Sequence, residues 1–189
     1  VLVDRCDHGT AADAVVLDNL DSAYRLTLHL IEQGHQQIAF IYGATSATGR
    51  QRHEGYVTAM AIHRLETLAK AVPATVDAAR GATSDLVSHR PLPDALVASN
   101  GLILLGVTEA LQAAKLRFPD QIALAGFDDL PWTRLVEPGI TVIAQPTYDL
   151  GRATIDLLLQ RIAQPTQAVR RVVLQGKLWK RGSSAKRSA

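Results

Sequence analysis

Short apolar runs rich in β-branched residues alternate with stretches of helical spacing along this chain, and that alternation admits few folds. Residues 1–3 and 14–17 are such runs, each ending at an aspartate, as buried strands of an α/β protein do. Over residues 22–33, Ala23, Leu26, Leu30 and Ile31 follow helical periodicity; Asp21 can cap the start and Gly34 can close the end. The pattern continues with a strand at 38–42, a helix at 50–61 carrying Tyr56, Val57 and Met60, and a strand at 95–98. A helix at 102–114 and a strand at 122–126 follow, then an irregular link at 131–138 and a short extended run at 141–144. An amphipathic helix at 148–162 and a strand at 171–174 close the series. Residues 64–90 are alanine-rich and weakly patterned, and predict no element. Strands separated by helices of about 10 to 15 residues predict an α/β fold built on a doubly wound parallel sheet.

The 189 residues, 47% apolar and 20% charged, hold one core or one and a fraction. The formal charge of +2 is unevenly spread. Residues 1–169 carry all 18 acids and 13 of the 20 bases, a balance of −5; residues 170–189 carry seven bases and no acid, a balance of +7. A basic terminus that includes Lys177, Lys180, Arg181, Lys186 and Arg187 reads as a solvated end rather than a nucleic-acid surface. The single cysteine, Cys6, allows no internal disulfide and suits a reducing compartment. No run approaches 18 apolar residues, and no basic-then-apolar leader opens the chain. The start on Val1-Leu2-Val3 reads as a strand entered midway, with the expectation that an upstream part is missing and that the strands at 1–3 and 172–174 expose unpaired edges.

In doubly wound sheets ligands bind beyond the carboxyl ends of the strands. That rule selects residues 44–52, 99–101 and 127–129. The loop from Gly43 to Gly49 has five residues between its glycines and is followed by Arg50 and Gln51, so it is no phosphate loop; no Gly-x-Gly-x-x-Gly follows a strand. The six histidines, His8, His29, His35, His53, His63 and His89, show no metal-ligand spacing, and no nucleophile elbow is present. No cofactor is implied. Asp128 and Asp129 are adjacent in extended chain and point opposite ways, so at most one faces a crevice; the other reads as a turn or helix-cap carboxylate. What remains is Arg52, Asn100 and Asp128, a guanidinium, an amide and a carboxylate suited to a polyhydroxylated ligand whose hydroxyls donate and accept at once.

The sequence strongly resembles the effector-binding core of the lactose/galactose-repressor (LacI/GalR) family of bacterial transcription regulators. The landmarks run in order along nearly the whole chain. They include Val3-Asp4-Arg5, Asp18-Asn19, His29-Leu30-Ile31 through Gly34-His35 to Ala39, and Arg52 with Gly55-Tyr56. Further on come Pro93-Asp94-Ala95, Ser99-Asn100, Pro119-Asp120, Gly126-Phe127-Asp128-Asp129, Gln145-Pro146 and Leu178 through Arg181 to Ser183. The resemblance implies a periplasmic-binding-protein-like fold of two α/β subdomains joined by three crossovers, with the effector in the cleft between them. By that layout residues 1–17 and 145–174 are part of an N-terminal subdomain, 18–144 a complete C-terminal subdomain, and 175–189 a basic tail. Arg52, Asn100 and Asp128 then match effector contacts, Ser46 and Thr48 fall where variable loop contacts occur, and Gln145 lies at a crossover. Gly101 departs from the Asp that many members carry. Residues 64–92 match poorly, and the further, often aromatic, contact expected there has no counterpart.

The family pairs as homodimers, which implies an apolar face of Leu104, Leu105, Thr108 and Ala113 with Trp132, Leu135 and Val136. The expectation is thus a non-enzymatic, cytoplasmic sensor of a sugar or sugar derivative that dimerises and reaches operator DNA only through a head absent from this sequence. The nearest alternative is a periplasmic sugar-binding protein of a transport system. An α/β sugar-acting enzyme is the third.

Overall fold

The computed structural model describes residues 1–6 and 11–185; His8, Lys186 and Arg187 lie outside the described residues. Six strands form the larger sheet. They are β3 (Ile38–Gly43), β4 (Leu68–Val72), β5 (Ala95–Ala98), β6 (Ala123–Phe127), β7 (Thr141–Ala144) and β9 (Lys177–Trp179), in the order β4-β3-β5-β6-β7-β9. Every pair is parallel except β7 with β9. Side chains alternate across this sheet. Ile38 and Phe40 meet Leu26, Leu30, Tyr56 and Met60, from α1 (Asn19–Glu32) and α2 (Ala47–Ile62). Ala39 and Ile41 meet Ala79, Leu104, Val107 and Leu111, from α3 (Val76–Ser88) and α4 (Gly101–Ala113). Helices therefore cover both faces, and the sheet is doubly wound.

A second, three-stranded parallel sheet has the order β1-β2-β8, from Leu2–Val3, Ala14–Leu17 and Arg171–Leu174, with α5 (Thr147–Ala163) packed on it. The backbone passes between the two sheets three times, after β2, after β7 and after β8. At the last pass Gly176 runs so close that a Cβ would stand 2.6 Å from Ile143, and its carbonyl accepts a bond of 2.8 Å from Arg25. In the small sheet β1 and β8 are edge strands; Val3 and Val173 are half exposed, as are Ile155, Leu159 and Ile162 of α5.

The weakly patterned stretch does contain structure. Strand β4 is an edge whose first four residues are exposed, and α3 buries only Ala79, Thr83 and Val87, small side chains that leave no bulky apolar stripe to read. The expected basic tail is corrected as well. Lys177–Trp179 forms β9 because the alternation turns Leu178 onto the core while Lys177 and Trp179 face outward. Beyond it Ser183 and Ser184 are buried: Ser183 Oγ donates to Leu124 O at 2.5 Å, and Thr141 N donates to Ser183 Oγ at 2.9 Å. Residues 177–184 thus lock onto the larger sheet. Among the described residues no helix is long and apolar enough to cross a membrane.

Candidate functional site

The carboxyl ends of β3, β5 and β6 open on one side, where the end of β1 meets them across a cleft of about 400 Å³. Ser46 caps α2 by accepting from Gly49 N at 3.0 Å and lies 3.2 Å from Thr48 Oγ1. Gly49 has to be glycine, since a Cβ there would stand 1.9 Å from the Gly43 carbonyl oxygen. That close approach lays the first turn of α2 against β3 and brings Arg52 beneath the cleft.

Arg52 is only 3% exposed. Its Nε donates to Asn19 Oδ1 at 2.8 Å, its Nη1 donates to the Ser99 carbonyl at 2.6 Å, and its guanidinium lies 4.1 Å over the Phe127 ring. Burial pulls its pKa down to about 10, against the pull of Asp128 and Asp4, so the group stays cationic at neutral pH. Asn100 caps α4, accepting from Ile103 N at 2.9 Å through Oδ1. Asp128 sits in the left-handed region at φ 75°. Its Oδ2 accepts from Gly101 N at 2.8 Å, which places a carboxylate at the positive end of α4, and its Oδ1 accepts from Gln145 Nε2 at 2.7 Å. Gln145, at the second pass between the sheets, is in this way tied to the larger sheet.

The structure brings Ser46, Thr48, Arg52, Asn100, Asp128 and Gln145 into this one cleft. It adds Asp4, Arg5, Thr45, Ala74, Gly101, Leu102, Leu105, Leu130 and Trp132. Asp4 and Arg5 follow the carboxyl end of β1, and the strand-end rule that selected the other loops would have reached them had the two-residue strand been weighed equally. Asp4 adopts φ 64°, with one carboxylate oxygen buried and without a hydrogen-bond partner. Ala74 lies just past β4, an element the sequence pattern did not reveal. A wider depression of about 500 Å³ lies near Gln36, Arg64 and Glu66, at the amino ends of the strands, where doubly wound sheets do not build ligand sites.

Asp129 faces away from the cleft, accepting from Arg181 Nη2 at 2.7 Å and lying 3.3 Å from Arg134. The expected apolar pairing face is corrected in part. Leu104 and Thr108 are enclosed in the chain's own core, Thr108 Oγ1 donating to the Leu104 carbonyl at 2.8 Å, so neither can reach a partner. Leu105 and Trp132 are half-buried and border the cleft. Val136 is half buried against the core, while Ala113 and Leu135 are exposed, Leu135 by 80%.

A sequence profile of the periplasmic binding protein-like domain matches residues 27–184. The chain belongs to that family. The ribose operon repressor of Escherichia coli (strain K12) is 34% identical over 97% of the chain, which spans 57% of that protein. The structure of a LacI family transcriptional regulator from Enterococcus faecium with bound ribose superposes with a TM-score of 0.88 at 25% identity, over 98% of this chain and 70% of that one. The complex of the transcriptional regulator CelR with cellobiose superposes at 0.85 with 32% identity, over 92% of this chain and 54% of that one. The chain thus spans a little over half the length of the ribose operon repressor, and the resemblance carried by its motifs agrees with relatives that are LacI-family regulators.

Proposed function

We propose that this chain is the effector-sensing part of a DNA-binding transcription regulator that works in the cytoplasm, binds a sugar or sugar derivative between its two sheets and catalyses nothing. One observation carries this reading: the Arg52 cation of α2, the Asn100 amide capping α4 and the Asp128 carboxylate after β6 converge on a single cleft. Arg52 Nη2 and Asn100 Nδ2 have no protein acceptor among the described residues, so both can donate to ligand oxygens. A charge-assisted bond to a hydroxyl contributes about 1.5 to 3 kcal/mol. Relatives of known structure hold ribose and cellobiose, which favours a neutral sugar.

Residues 1–17 and 145–174 belong to the first subdomain, and the larger sheet belongs to the second. A sugar touching both Arg52 and the Asp4–Arg5 end of β1 bridges them, and it shifts their arrangement only by its differential affinity for the two states. Two copies pair as a homodimer through the flank bearing Leu105, Ala113, Trp132, Leu135 and Val136, and the whole regulator reads operator DNA. The test is calorimetric titration of the chain with ribose, glucose, galactose, cellobiose and a sugar phosphate, repeated on Asp128→Ala. Saturable binding of a sugar, recovered chemically unchanged and weakened at least tenfold by the substitution, is expected. Undiminished binding in the variant removes Asp128 from the site, and turnover of the sugar overturns the reading.

A further inference from the structure

Arg52 presents one free edge to the cleft, and what sets that edge lies outside the cleft. Its Nη1 is taken by the Ser99 carbonyl and its face by the Phe127 ring, so Nε, which donates to Asn19 Oδ1, is the remaining fixed point and Nη2 is the nitrogen left for a ligand. Asn19 does not border the cleft; it is the first residue of α1, where the backbone leaves β2 of the small sheet, and is 2% exposed. Its amide is oriented from behind. Nδ2 donates to the Leu17 carbonyl at 3.2 Å and to Gln51 Oε1 at 3.1 Å, which turns Oδ1 towards Arg52. Asp18 anchors this start of the helix: its Oδ1 accepts from Asp21 N at 3.1 Å and its own N donates to the Leu174 carbonyl at 2.8 Å. The reach of Asn19 depends on Gly55, three residues after Arg52 on the same side of α2, where a Cβ would stand 2.1 Å from the Leu20 carbonyl oxygen. A side chain at residue 55 would push α1 away and leave Nε without its acceptor.

From this arrangement we infer that Asn19 is a positioning residue of the effector site: held at the first pass between the two sheets, it fixes which edge of the Arg52 guanidinium meets the sugar. The inference rests on the sugar-sensing reading above. Two carboxylates at the cleft, Asp128 and Asp4, attract this cation, and Asp4 has a buried oxygen without a partner. Asn19 and the Ser99 carbonyl hold the guanidinium against that attraction, so the planar fork is ordered before a sugar arrives. Without the Asn19 oxygen the guanidinium turns towards a carboxylate, and a sugar has to displace and reorder it, which weakens binding by about tenfold. The grip on the Leu17 carbonyl has a further consequence: the donor offered to the sugar is registered to the strand end of the small sheet as well as to the larger sheet.

The test uses the full chain and the tightest-binding sugar among ribose, glucose, galactose, cellobiose and a sugar phosphate. By calorimetry Asn19→Ala is expected to weaken that sugar about tenfold, while in the Arg52→Met background the same substitution changes affinity by less than about twofold, because no guanidinium remains to position. A residue that merely supports the fold gives the same loss in both backgrounds. Asn19→Asp keeps an acceptor of equal reach and is expected to bind within about threefold of the parent. A second measurement needs no change at residue 19, so poor folding of a variant does not spoil the test. In the nitrogen-15-labelled chain the Arg52 Nε–H correlation is the arginine signal that Arg52→Met removes. It is expected as a single, slowly exchanging signal with and without sugar, and as a fast-exchanging one in Asn19→Ala. A fast-exchanging Arg52 signal in the unsubstituted chain overturns the inference and leaves the sugar-sensing reading standing. So does Asn19→Ala binding within about twofold of the parent, an equal loss in the two backgrounds, or Asn19→Asp binding no better than Asn19→Ala. Failure of every sugar to bind overturns both.

Discussion

Replacing Arg52 with methionine separates binding from stability. The side chain is buried, and burial lowers its pKa from the ordinary guanidinium range to about 10; at about 1.4 kcal/mol per pH unit, keeping the cation in place costs the fold about 3 kcal/mol. Methionine removes that cost, fills most of the volume and leaves Asn19 Oδ1 and the Ser99 carbonyl without their donor. Each orphaned acceptor costs about 1 to 3 kcal/mol. The two effects largely offset, so Arg52→Met is expected to lose no more than about 3 kcal/mol of unfolding free energy, a fall in Tm of roughly 6 to 12 °C. Sugar binding behaves differently, since a lost charge-assisted hydrogen bond of about 1.5 to 3 kcal/mol weakens the dissociation constant by roughly 10- to 150-fold. Urea denaturation and calorimetric titration of the same preparations measure both quantities. A variant that binds within threefold of the parent, or one that loses more than about 5 kcal/mol of stability, would show Arg52 to be a structural clamp and refute the reasoning.

Other perturbations have equally definite outcomes. His29 is buried with Nε2 2.8 Å from Ser184 Oγ, and burial, with Lys180 adding to it, holds its pKa below the ordinary 6.5 while Glu32 opposes. The unfolded chain therefore takes up this proton first as pH falls, so stability is full above about pH 6.5 and declines below it. His53 is shifted in the same direction, so the informative quantity is the difference between the parent and His29→Gln in urea midpoint from pH 8 to 5; parallel curves contradict the assignment. Gly106→Ala would set a Cβ 2.3 Å from the Val76 carbonyl oxygen where α3 crosses α4, and is expected to cost about 1 to 3 kcal/mol. Gly81→Ala, in exposed space on α3, is expected to gain about 0.5 to 1 kcal/mol; thermal melts that rank the two the other way contradict the packing described.

The elements read from sequence were those whose burial leaves a bulky apolar signature. The strand at 95–98 is fully buried and begins and ends where its apolar run does, and the strand at 141–144 is nearly fully buried. Helix α1 shows its stripe because Leu26 and Leu30 point into the core. What stayed hidden is built differently. Helix α3 packs through Val76 and Ala79 against Gly106 of α4, and close approach between small residues leaves no hydrophobic period. Strand β9 is three residues long and gains its place from a partner 35 residues away, with Ile143 opposite Leu178. The polar site was legible because strand ends are local features. The cleft's apolar border was not, since side chains such as Leu105 and Trp132 carry the same chemistry whether they line a cleft or a subunit contact.

Hydrogen exchange of the full chain, with and without a saturating sugar from the panel, tests the central claim most directly. The account predicts added protection confined to the loops that meet at the cleft, residues 44–52, 100–105, 128–132 and the Gln145 pass, with the amino-end depression near Arg64 unchanged. Protection centred on residues 36–37 and 64–68, with none at the strand ends, would place the ligand at the wrong end of the sheet and contradict it.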